Sequence, residues 1–392
     1  MSWRLLSRKL IATAAATVAA LLAIVVGIEG WARLTWDPKK GRPGFFLSDP
    51  ERVERLAPNY DGWFAGVPIH TNSLGFRDSR EYALPKAPNT FRIVVLGDSV
   101  TFGHGSVYEH TYPLLLEQRL KAWRPSVDWQ VWNLGVPGYD SAQELTTLLT
   151  DGPRYQPDLV VVGFLENDVF GLLDVPPPSR WRTLKSSAAS MVRARLFSYD
   201  WFRRRYLMLR YRLVSSDAER ALLEKLADNE SLLSRPDELA DAKEQQLSNP
   251  APLFAAGVEP PPCNFQASGL VSRKDFEAMP NLDRWKVIVQ RFQQLNAAGT
   301  YRIVFFLNEA PHQCLGEDRF VAADVESYND YFLKIFKQAG LPAVSSYSGF
   351  LRYKFSDMPM AAGHSIGNSN AVKAAALFDF LSNETLPALL PK

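Results

Sequence analysis

A serine at the end of an apolar run is the first residue in this sequence that could carry chemistry. Ser99 follows the run FRIVVLG (91–97) with a single residue between them. A short apolar run of β-branched character that ends in glycine is typical of a buried parallel strand. A serine at the carboxyl end of such a strand can point its hydroxyl into a crevice, but it needs a base to activate it. The pattern therefore predicts that Ser99 is a nucleophile.

Two further strand ends supply groups that could stabilise negative charge. The run WQVWNLG (129–135) is followed by Gly138, and the run DLVVVGFL (158–165) is followed by Asn167. A backbone N–H and a side-chain amide at neighbouring strand ends could both point at an oxyanion that forms beside Ser99. Taken singly, Gly and Asn at these positions are ordinary turn residues.

A histidine near the C-terminus could serve as the base. His364 lies in a loop immediately before the last predicted helix, which starts at about Asn368. A loop in that place lies at the rim of the domain, where the imidazole could take a proton from Ser99. Most single histidines are structural, and this holds for most of the others in the chain. Those others are His70, His104, His110 and His312.

The elements that must position these residues alternate between strand and helix. Apolar runs at 91–97, 129–135 and 158–165 predict three strands, and runs at 301–308 and 341–345 predict two more. Helical spacing of apolar residues predicts helices over 112–123, 141–149, 283–297, 322–339 and 368–381. This alternation favours a flavodoxin-like three-layer α/β/α sandwich with a five-stranded parallel sheet. The chemistry of such a sheet lies at the carboxyl ends of its strands.

In this order and spacing, the segments resemble the characteristic blocks of the SGNH/GDSL hydrolase family. Gly97-Asp98-Ser99 is similar to the first block, and residues 133–138 are similar to the second. Glu166-Asn167-Asp168 is similar to the third block, although Leu165 stands where that block has glycine. His364, followed by the last helix, is similar to the fifth. The resemblance covers about residues 91–170 and 300–382.

The resemblance implies a role for each matched residue. Ser99 would be the nucleophile and His364 the general base. The oxyanion hole would consist of the backbone N–H groups of Ser99 and Gly138 and the side-chain amide of Asn167. Gly135 is a less favoured choice than Gly138 for the second donor. Such a site needs no metal ion and no cofactor.

One departure from the family concerns the group that orients the base. The family has Asp three residues before the histidine, where this sequence has Ala361, and Ser365-Ile366 replaces the usual Pro-Asn after it. Asp357, seven residues before His364, is the favoured third member because a looped segment could bring it to the ring. A backbone carbonyl could orient the ring instead, which would make a Ser-His dyad. A weakened or altered catalyst is the third possibility.

The N-terminal segment predicts a membrane anchor. Residues 10–28 contain no charge, and as a helix they would span roughly 28 Å, close to the hydrocarbon thickness of a bilayer. Arginine and lysine precede this run and tryptophans follow it, which predicts a cytoplasmic N-terminus and a single-pass protein of the cytoplasmic membrane. The bulk of the chain would then be extracytoplasmic, in the periplasm. A cleaved signal peptide is the alternative, but its apolar run would be shorter and its cleavage site richer in small residues.

These signals predict the domain boundaries. Residues 1–36 would form the cytoplasmic N-terminus and the transmembrane signal anchor. Residues 37–90, rich in Pro and Gly, would form a stalk and an irregular segment that leads into the domain. The hydrolase domain would cover 91–390, with a helical insertion at about 174–280 that has a Pro-Pro-Pro sequence near each end.

The insertion is strongly and unevenly charged. Residues 180–212 carry ten Arg or Lys and one acid, with aromatic and aliphatic residues between them, and residues 217–244 carry nine acids and four bases. Two solvated helices whose opposite charges face each other would explain this pattern. A basic amphipathic surface that contacts anionic lipid or an acidic polymer is the functional alternative. The net charge of the whole chain is only +2 and gives no reason to expect nucleic acid.

The two cysteines exclude two classes of protein. Cys263 and Cys314 are too few for a disulfide-rich scaffold or for a structural zinc site. Outside the cytoplasm they could form one disulfide, and two unpaired thiols are equally consistent with the sequence.

Together these observations favour a serine ester hydrolase that acts through an acyl-enzyme on Ser99, outside the cytoplasmic membrane. Its substrate would be an acyl ester or an O-acylated glycan. The same site could pass the acyl group to a sugar hydroxyl, as an O-acyltransferase of a cell-envelope glycan would. A non-catalytic binding protein that keeps the fold is a third hypothesis, and the missing acid at position 361 is its main support.

Overall fold

A computed structural model describes most of the chain. The described residues are 3–36, 43–173, 177–214, 220, 223, 226, 278–308, 325–346, 349, 360–361 and 364–390. Asp357, Cys263 and Cys314 lie outside these ranges, as does much of the predicted insertion at 174–280. Their predicted roles stay predictions.

The described residues form the following strands and α-helices, which alternate as predicted only from residue 90 onward. The strands are β1 (Phe46–Asp49), β2 (Val53–Leu56), β3 (Asp61–Phe64), β4 (Val67–His70), β5 (Thr90–Leu96), β6 (Asp128–Asn133), β7 (Leu159–Phe164), β8 (Ile303–Leu307), β9 (Ala343–Ser345), β10 (Met360–Ala361) and β11 (His364–Ser365). The helices are α1 (Trp3–Leu34), α2 (Ser99–Phe102), α3 (Tyr112–Trp123), α4 (Ser141–Thr150), α5 (Gly152–Tyr155), α6 (Asn167–Phe170), α7 (Arg180–Arg193), α8 (Tyr199–Leu213), α9 (Leu282–Ala297), α10 (Val325–Gln338) and α11 (Asn368–Phe380).

A five-stranded parallel sheet forms the centre of the molecule. Its strand order is β6-β5-β7-β8-β9, and each neighbouring pair is parallel. This is the flavodoxin-like order, so the predicted fold class is confirmed. Every residue of β5, β7 and β8 is buried, because helices cover both faces of a parallel sheet.

The two faces of the sheet pack against separate sets of helices. Ile93 and Val95 of β5 belong to the core cluster that contains α3 and α11. Val94 and Leu96 belong to the opposite cluster, with α4, α9 and α10. Because successive side chains of a strand point to opposite faces, one continuous apolar run supplies both cores and makes the three-layer sandwich.

The segment between the N-terminal helix and β5 differs from the expected stalk and irregular lead. It contains two antiparallel hairpins, β1–β2 and β3–β4. Their aromatic residues form a third buried cluster that includes Phe102 of α2 and Val136. The prediction missed these hairpins because strands of four residues give too short an alternation to stand out among Pro, Gly and Asp.

The N-terminal helix α1 is long and apolar enough to cross a membrane. Its segment Ile11–Leu34 contains an 18-residue window with a mean hydropathy of 2.5, and no residue of that window is buried against protein. A signal sequence near the N-terminus would have the same length and composition. By these two criteria α1 can be an anchor.

Candidate active site

The turn that carries Ser99 is built by its neighbours on either side. β5 ends at Leu96, and Asp98 caps α2 by accepting a hydrogen bond from the backbone N–H of Val100 at 2.9 Å. Gly103 ends α2 in a left-handed conformation, with φ of +83°, which glycine adopts without the steric cost of a Cβ. The strand-turn-helix sequence thus places Ser99, half-buried, at the carboxyl edge of the sheet.

The structure brings Ser99 and His364 together across 265 residues of sequence. The Oγ atom of Ser99 lies 2.7 Å from Nε2 of His364, which is hydrogen-bond distance. His364 belongs to β11, and its Cα pairs with that of Ala361 in the short hairpin β10–β11. The predicted nucleophile and the predicted base therefore have the geometry of an activated hydroxyl.

Asn167 lies on the same edge and is held by the residue before Ser99. Its Nδ2 donates a hydrogen bond of 2.9 Å to Oδ2 of Asp98. That bond uses one of the two N–H groups of the amide and fixes the plane of the side chain. Asp98, which the sequence analysis did not single out, therefore caps α2 and orients the predicted oxyanion donor at the same time.

The two glycines considered for the second oxyanion donor differ in what their N–H groups do. The N–H of Gly135 donates to Oδ1 of Asn133 at 3.0 Å. Gly138 has φ of +82° in the turn that Tyr139 N–H closes on the carbonyl of Val136. Its N–H donates no hydrogen bond to any residue that the structure describes. The geometry therefore favours Gly138 over Gly135, as the resemblance implies.

Gly135 has a different function in the site, which is to allow close packing against α2. A Cβ atom added at Gly135 would lie 2.7 Å from the carbonyl carbon of Thr101 and still closer to the backbone nitrogen of Phe102. The amide of Asn133 also donates to the carbonyl of Thr101 at 2.9 Å. The loop after β6 thus presses directly on the helix that carries Ser99.

His104 is a residue of the site that sequence reasoning passed over. Its ring stacks on the ring of His364, with centroids 4.1 Å apart and an interplanar angle of 12°. The side chain is 4% exposed, and neither ring nitrogen has a hydrogen-bond partner among the described residues. Burial, and then the nearby charges of His364 and Arg77, hold the pKa of His104 well below its usual value of 6.5. The ring is therefore neutral at physiological pH.

Arg77 supports the same segment from behind. Its guanidinium donates to the carbonyls of Phe102 at 2.9 Å and Gly103 at 2.5 Å, and also to that of Ser106. Burial lowers the pKa of Arg77 to about 9, so the group is still a cation at neutral pH. It donates hydrogen bonds to carbonyls at and just beyond the end of α2 that would otherwise lack a partner.

Asp168 is a buried acid of the site that does not bond to His364. Its Oδ2 accepts a hydrogen bond of 2.9 Å from the backbone N–H of Leu165. Burial, followed by the nearby carboxylates of Glu144 and Asp98, raises the pKa of Asp168 well above its usual 3.8. Asp168 is therefore a structural acid of the loop after β7, and the third member of the triad stays a prediction at Asp357.

The chain matches one known protein family. Residues 95–230 match the model of the GDSL-like Lipase/Acylhydrolase family. No curated protein matches the sequence.

Several solved structures resemble the fold at low identity. LAE5, an alpha/beta hydrolase enzyme from the metagenome of Lake Arreo in Spain, is 15% identical, with 79% of this chain and 99% of that chain covered and a TM-score of 0.36. Axe2, an acetylxylan esterase from Geobacillus stearothermophilus, is 13% identical, with 75% and 95% covered and a TM-score of 0.39. CEX, a two-domain esterase active on acetylated mannans, is 11% identical, with 76% and 50% covered and a TM-score of 0.37. TM-scores below 0.5 say nothing about the substrate of this chain.

The family match and the site geometry agree with each other. The matched segment contains Ser99, Gly138 and Asn167, and His364, which lies outside it, reaches Ser99 through the hairpin before α11. Residues 95–230 therefore match the GDSL-like Lipase/Acylhydrolase family, and the contact between Ser99 and His364 is the arrangement that such a hydrolase requires.

Proposed function

We propose that this chain is an extracytoplasmic serine esterase that acts through an acyl-enzyme on Ser99. The observation that carries the proposal is the 2.7 Å distance between Ser99 Oγ and His364 Nε2. At that distance the imidazole takes the hydroxyl proton as the oxygen attacks an acyl carbonyl. Histidine then gives the proton to the departing alcohol, and water activated by the same ring releases the acyl group.

The oxyanion would be stabilised by three donors around Ser99. These are the backbone N–H groups of Ser99 and Gly138 and the amide of Asn167. The bond from Asn167 to Asp98 keeps that amide in place before the charge develops, and removal of one such donor typically costs about 10²–10³ in rate. The preorganised donors support acyl transfer as the reaction class.

The group that orients His364 is part of the proposal. Asp357 would accept a hydrogen bond from the other ring nitrogen, as the acid does in a triad. In a Ser-His dyad, a backbone carbonyl would hold the ring instead. Asp357→Asn separates the two: a loss of activity of about 10⁴ is known for such a change in a true triad, whereas a dyad would retain its rate.

The charges that flank α1 support the proposed side of the membrane. Basic residues precede the apolar run and the catalytic domain follows it, so the domain would face the periplasm. The substrate would be an acyl ester or an O-acylated glycan of the envelope. Transfer of the acyl group to a sugar hydroxyl uses the same Ser99 and His364 and differs only in the acceptor.

The test is to trap the acyl-enzyme in the purified full-length chain. Incubation with an activated acetyl ester should give a covalent acetyl adduct on the peptide that contains Ser99, with a burst of the alcohol product. Ser99→Ala should abolish both, and Ser382→Ala, which changes a serine just beyond the end of α11, should change neither. Undiminished hydrolysis by Ser99→Ala would overturn the proposal. Loss of the adduct to an added acetyl-free oligosaccharide, in preference to water, would assign the chain as an acyltransferase.

A further inference from the structure

The end of α1 is bonded to the corner between α7 and α8. Glu29 directly follows the uncharged run at 10–28 and is only 9% exposed. Its carboxylate accepts hydrogen bonds from the backbone N–H of Phe197 at 3.1 Å and of Ser198 at 3.0 Å, and from the hydroxyl of Ser198 at 2.7 Å. The corner therefore lies next to the last turn of the apolar segment.

Arg33, one helical turn further, closes the same joint. It donates to Glu29 at 2.8 Å and to the carbonyl of Arg195 at 3.0 Å. Its guanidinium also lies 4.6 Å from the centroid of the Phe197 ring, which in turn contacts the ring of Trp36 edge-on at 5.0 Å. If α1 crosses the bilayer, these contacts hold α7 and α8 at the level where the span ends.

α7 carries an apolar stripe on the face that is turned away from the protein. Large apolar side chains recur at i, i+3, i+10 and i+11, which at 100° per residue is one side of the helix. They are Trp181, Leu184, Met191 and Val192, which are 74%, 65%, 58% and 41% exposed. Arg193, by contrast, is fully buried and bonds to Glu54 of β2 at 2.8 Å.

α8 repeats the pattern. Trp201, Met208 and Tyr211 are exposed on other sides of the helix, and four further exposed apolar residues recur at i, i+4, i+7 and i+11 on one side. They are Phe202, Tyr206, Leu209 and Leu213, which are 42%, 58%, 58% and 76% exposed. Leu207, on the other side of the helix, is buried. Two neighbouring helices thus present apolar side chains to the outside, where a soluble domain would gain nothing from them.

The charge of the two helices is almost entirely positive. The range 180–212 holds ten Arg or Lys residues and a single acid, Asp200. That acid bonds to Arg193 at 3.0 Å, so it does not offset the outer charges. Apolar residues flanked by arginine and lysine are the composition of helices that lie in the interface of an anionic bilayer.

We propose that the exposed faces of α7 and α8 form a docking surface for anionic phospholipid, the surface of the same bilayer that α1 crosses. The apolar stripes enter the boundary between headgroups and acyl chains, and the arginines contact lipid phosphates. The proposal depends on α1 as a span and does not depend on the chemistry at Ser99, so the two can fail separately.

Docking of this kind would fix the orientation of the active site above the membrane. Ser190 of α7 donates to the carbonyl of Ser48 in β1 at 2.9 Å, and Arg193 bonds to β2. The hairpin β1–β2 packs in turn on Phe102 of α2. A rigid path therefore runs from the proposed lipid surface to the helix that carries Ser99.

The test is to measure the environment of labels on this surface in the full-length chain. Cys263 and Cys314 are replaced by Ser, and one cysteine is introduced at Leu184, at Leu209 or, as a matched exposed control on α9, at Val287, which is 62% exposed. Each variant carries an environment-sensitive fluorophore. Each is reconstituted in vesicles of phosphatidylcholine alone or of three parts phosphatidylcholine to one part phosphatidylglycerol.

In the anionic vesicles, labels at 184 and 209 should shift to shorter emission wavelength and lose quenching by aqueous iodide. They should gain quenching by brominated lipid, whereas the label at 287 should stay aqueous in both vesicles. Labels at 184 and 209 that are as accessible to iodide as the label at 287 would overturn the proposal. Equal burial in both vesicles would overturn its anionic-lipid part. Protection that requires soluble polygalacturonate and not lipid would reassign the surface to an acidic polymer.

Discussion

The stacked rings of His104 and His364 limit how the base can turn. The neutral ring of His104 lies 4.1 Å from the ring of His364 and nearly parallel to it. It therefore hinders rotation of the His364 imidazole out of its own plane. Phe64 packs edge-on against His104 at 5.1 Å and holds it from the other side. Stacking of this kind complements whatever group bonds to the second nitrogen of His364.

Two substitutions at His104 should separate stacking from hydrogen bonding. His104→Ala removes the stack and opens a cavity, so we expect at least a tenfold slower acylation and a loss of stability of about 3 kcal/mol. His104→Phe keeps an aromatic face and removes two buried nitrogens that cost free energy when unpaired, so acylation should fall little and the melting temperature should rise. Burst kinetics and thermal unfolding measure both effects. Equal loss of acylation in the two variants would show that the imidazole nitrogens matter and the stack does not.

Asp168 should make the stability depend on pH in a defined direction. Its pKa is raised in the folded state, so the folded chain binds more protons than the unfolded chain above pH 3.8. The favourable contribution of protonated Asp168 to the free energy of unfolding is therefore fully present below its unfolded pKa. That contribution is lost as pH rises through the folded pKa. Asp168→Asn keeps the acceptor for Leu165 and does not ionise. The variant should therefore gain stability over the native chain as pH rises from 5 to 8, with about 2–4 °C in melting temperature for each kcal/mol.

The melting temperatures of Asp168→Asn and of the native chain are both measured from pH 5 to pH 8. A constant difference in melting temperature between Asp168→Asn and the native chain from pH 5 to pH 8 would contradict the raised pKa. Burial of His104 acts in the opposite sense, because a depressed histidine pKa costs stability as pH falls below 6.5. It affects both proteins equally and cancels in the difference.

Single site residues could be predicted from the sequence where they stand next to an apolar pattern that predicts a strand or a helix. Ser99, Asn167 and His364 each follow or precede a strong apolar pattern, and the structure brings Ser99 and His364 into hydrogen-bond contact. His104 and Arg77 gave no such signal. An isolated polar residue is predicted to be solvent-exposed unless its contacts in the folded structure are known. Their importance comes from burial beside the catalytic turn, which depends on contacts between segments far apart in sequence.

At the scale of elements, close approach of the loop after β6 to α2 sets the position of Ser99. Gly135→Ala would force a Cβ into the backbone of α2, within 2.7 Å of Thr101 and nearer still to Phe102, so α2 or the loop must move. A displacement of about 1 Å in a catalytic group can cost on the order of 10²-fold in rate. We expect a loss of that size in acylation for Gly135→Ala.

Gly30 in α1 provides the matched control for that change. A Cβ added at Gly30 would meet nothing within 4 Å, so Gly30→Ala should leave acylation unchanged. Acylation by Gly135→Ala at the native rate would show that the loop after β6 does not position α2.

The sheet was predictable and the hairpins before it were not. β5 and β7 are continuous apolar runs that need no partner to be recognised, because a strand buried on both faces has no polar alternation. β1–β4 are four residues each, and they become stable only by packing their aromatic residues on α2 and the loop after β6. We therefore propose that the catalytic domain begins near residue 43 rather than at 91.

At the scale of the whole molecule, Glu29 couples the N-terminal helix to the catalytic domain. Removal of its carboxylate in Glu29→Ala leaves the N–H groups of Phe197 and Ser198 without their acceptor. We expect faster hydrogen exchange at these two amides, with no change in hydrolysis of a soluble ester. Glu51→Ala, a change of the same type in the turn between β1 and β2, is the control. Unchanged exchange at 197 and 198 would contradict the coupling.

The pairing of Ser99 with His364 is tested most directly by labelling with a fluorophosphonate, which reacts only with an activated serine hydroxyl. The full-length chain should be labelled, the modified peptide should contain Ser99, and labelling should disappear in both Ser99→Ala and His364→Ala. His110→Ala, which removes a histidine outside the site, should label at the native rate. A native chain that takes up no label, or a label that maps to another serine, would contradict the assignment of Ser99 as the nucleophile and His364 as its base.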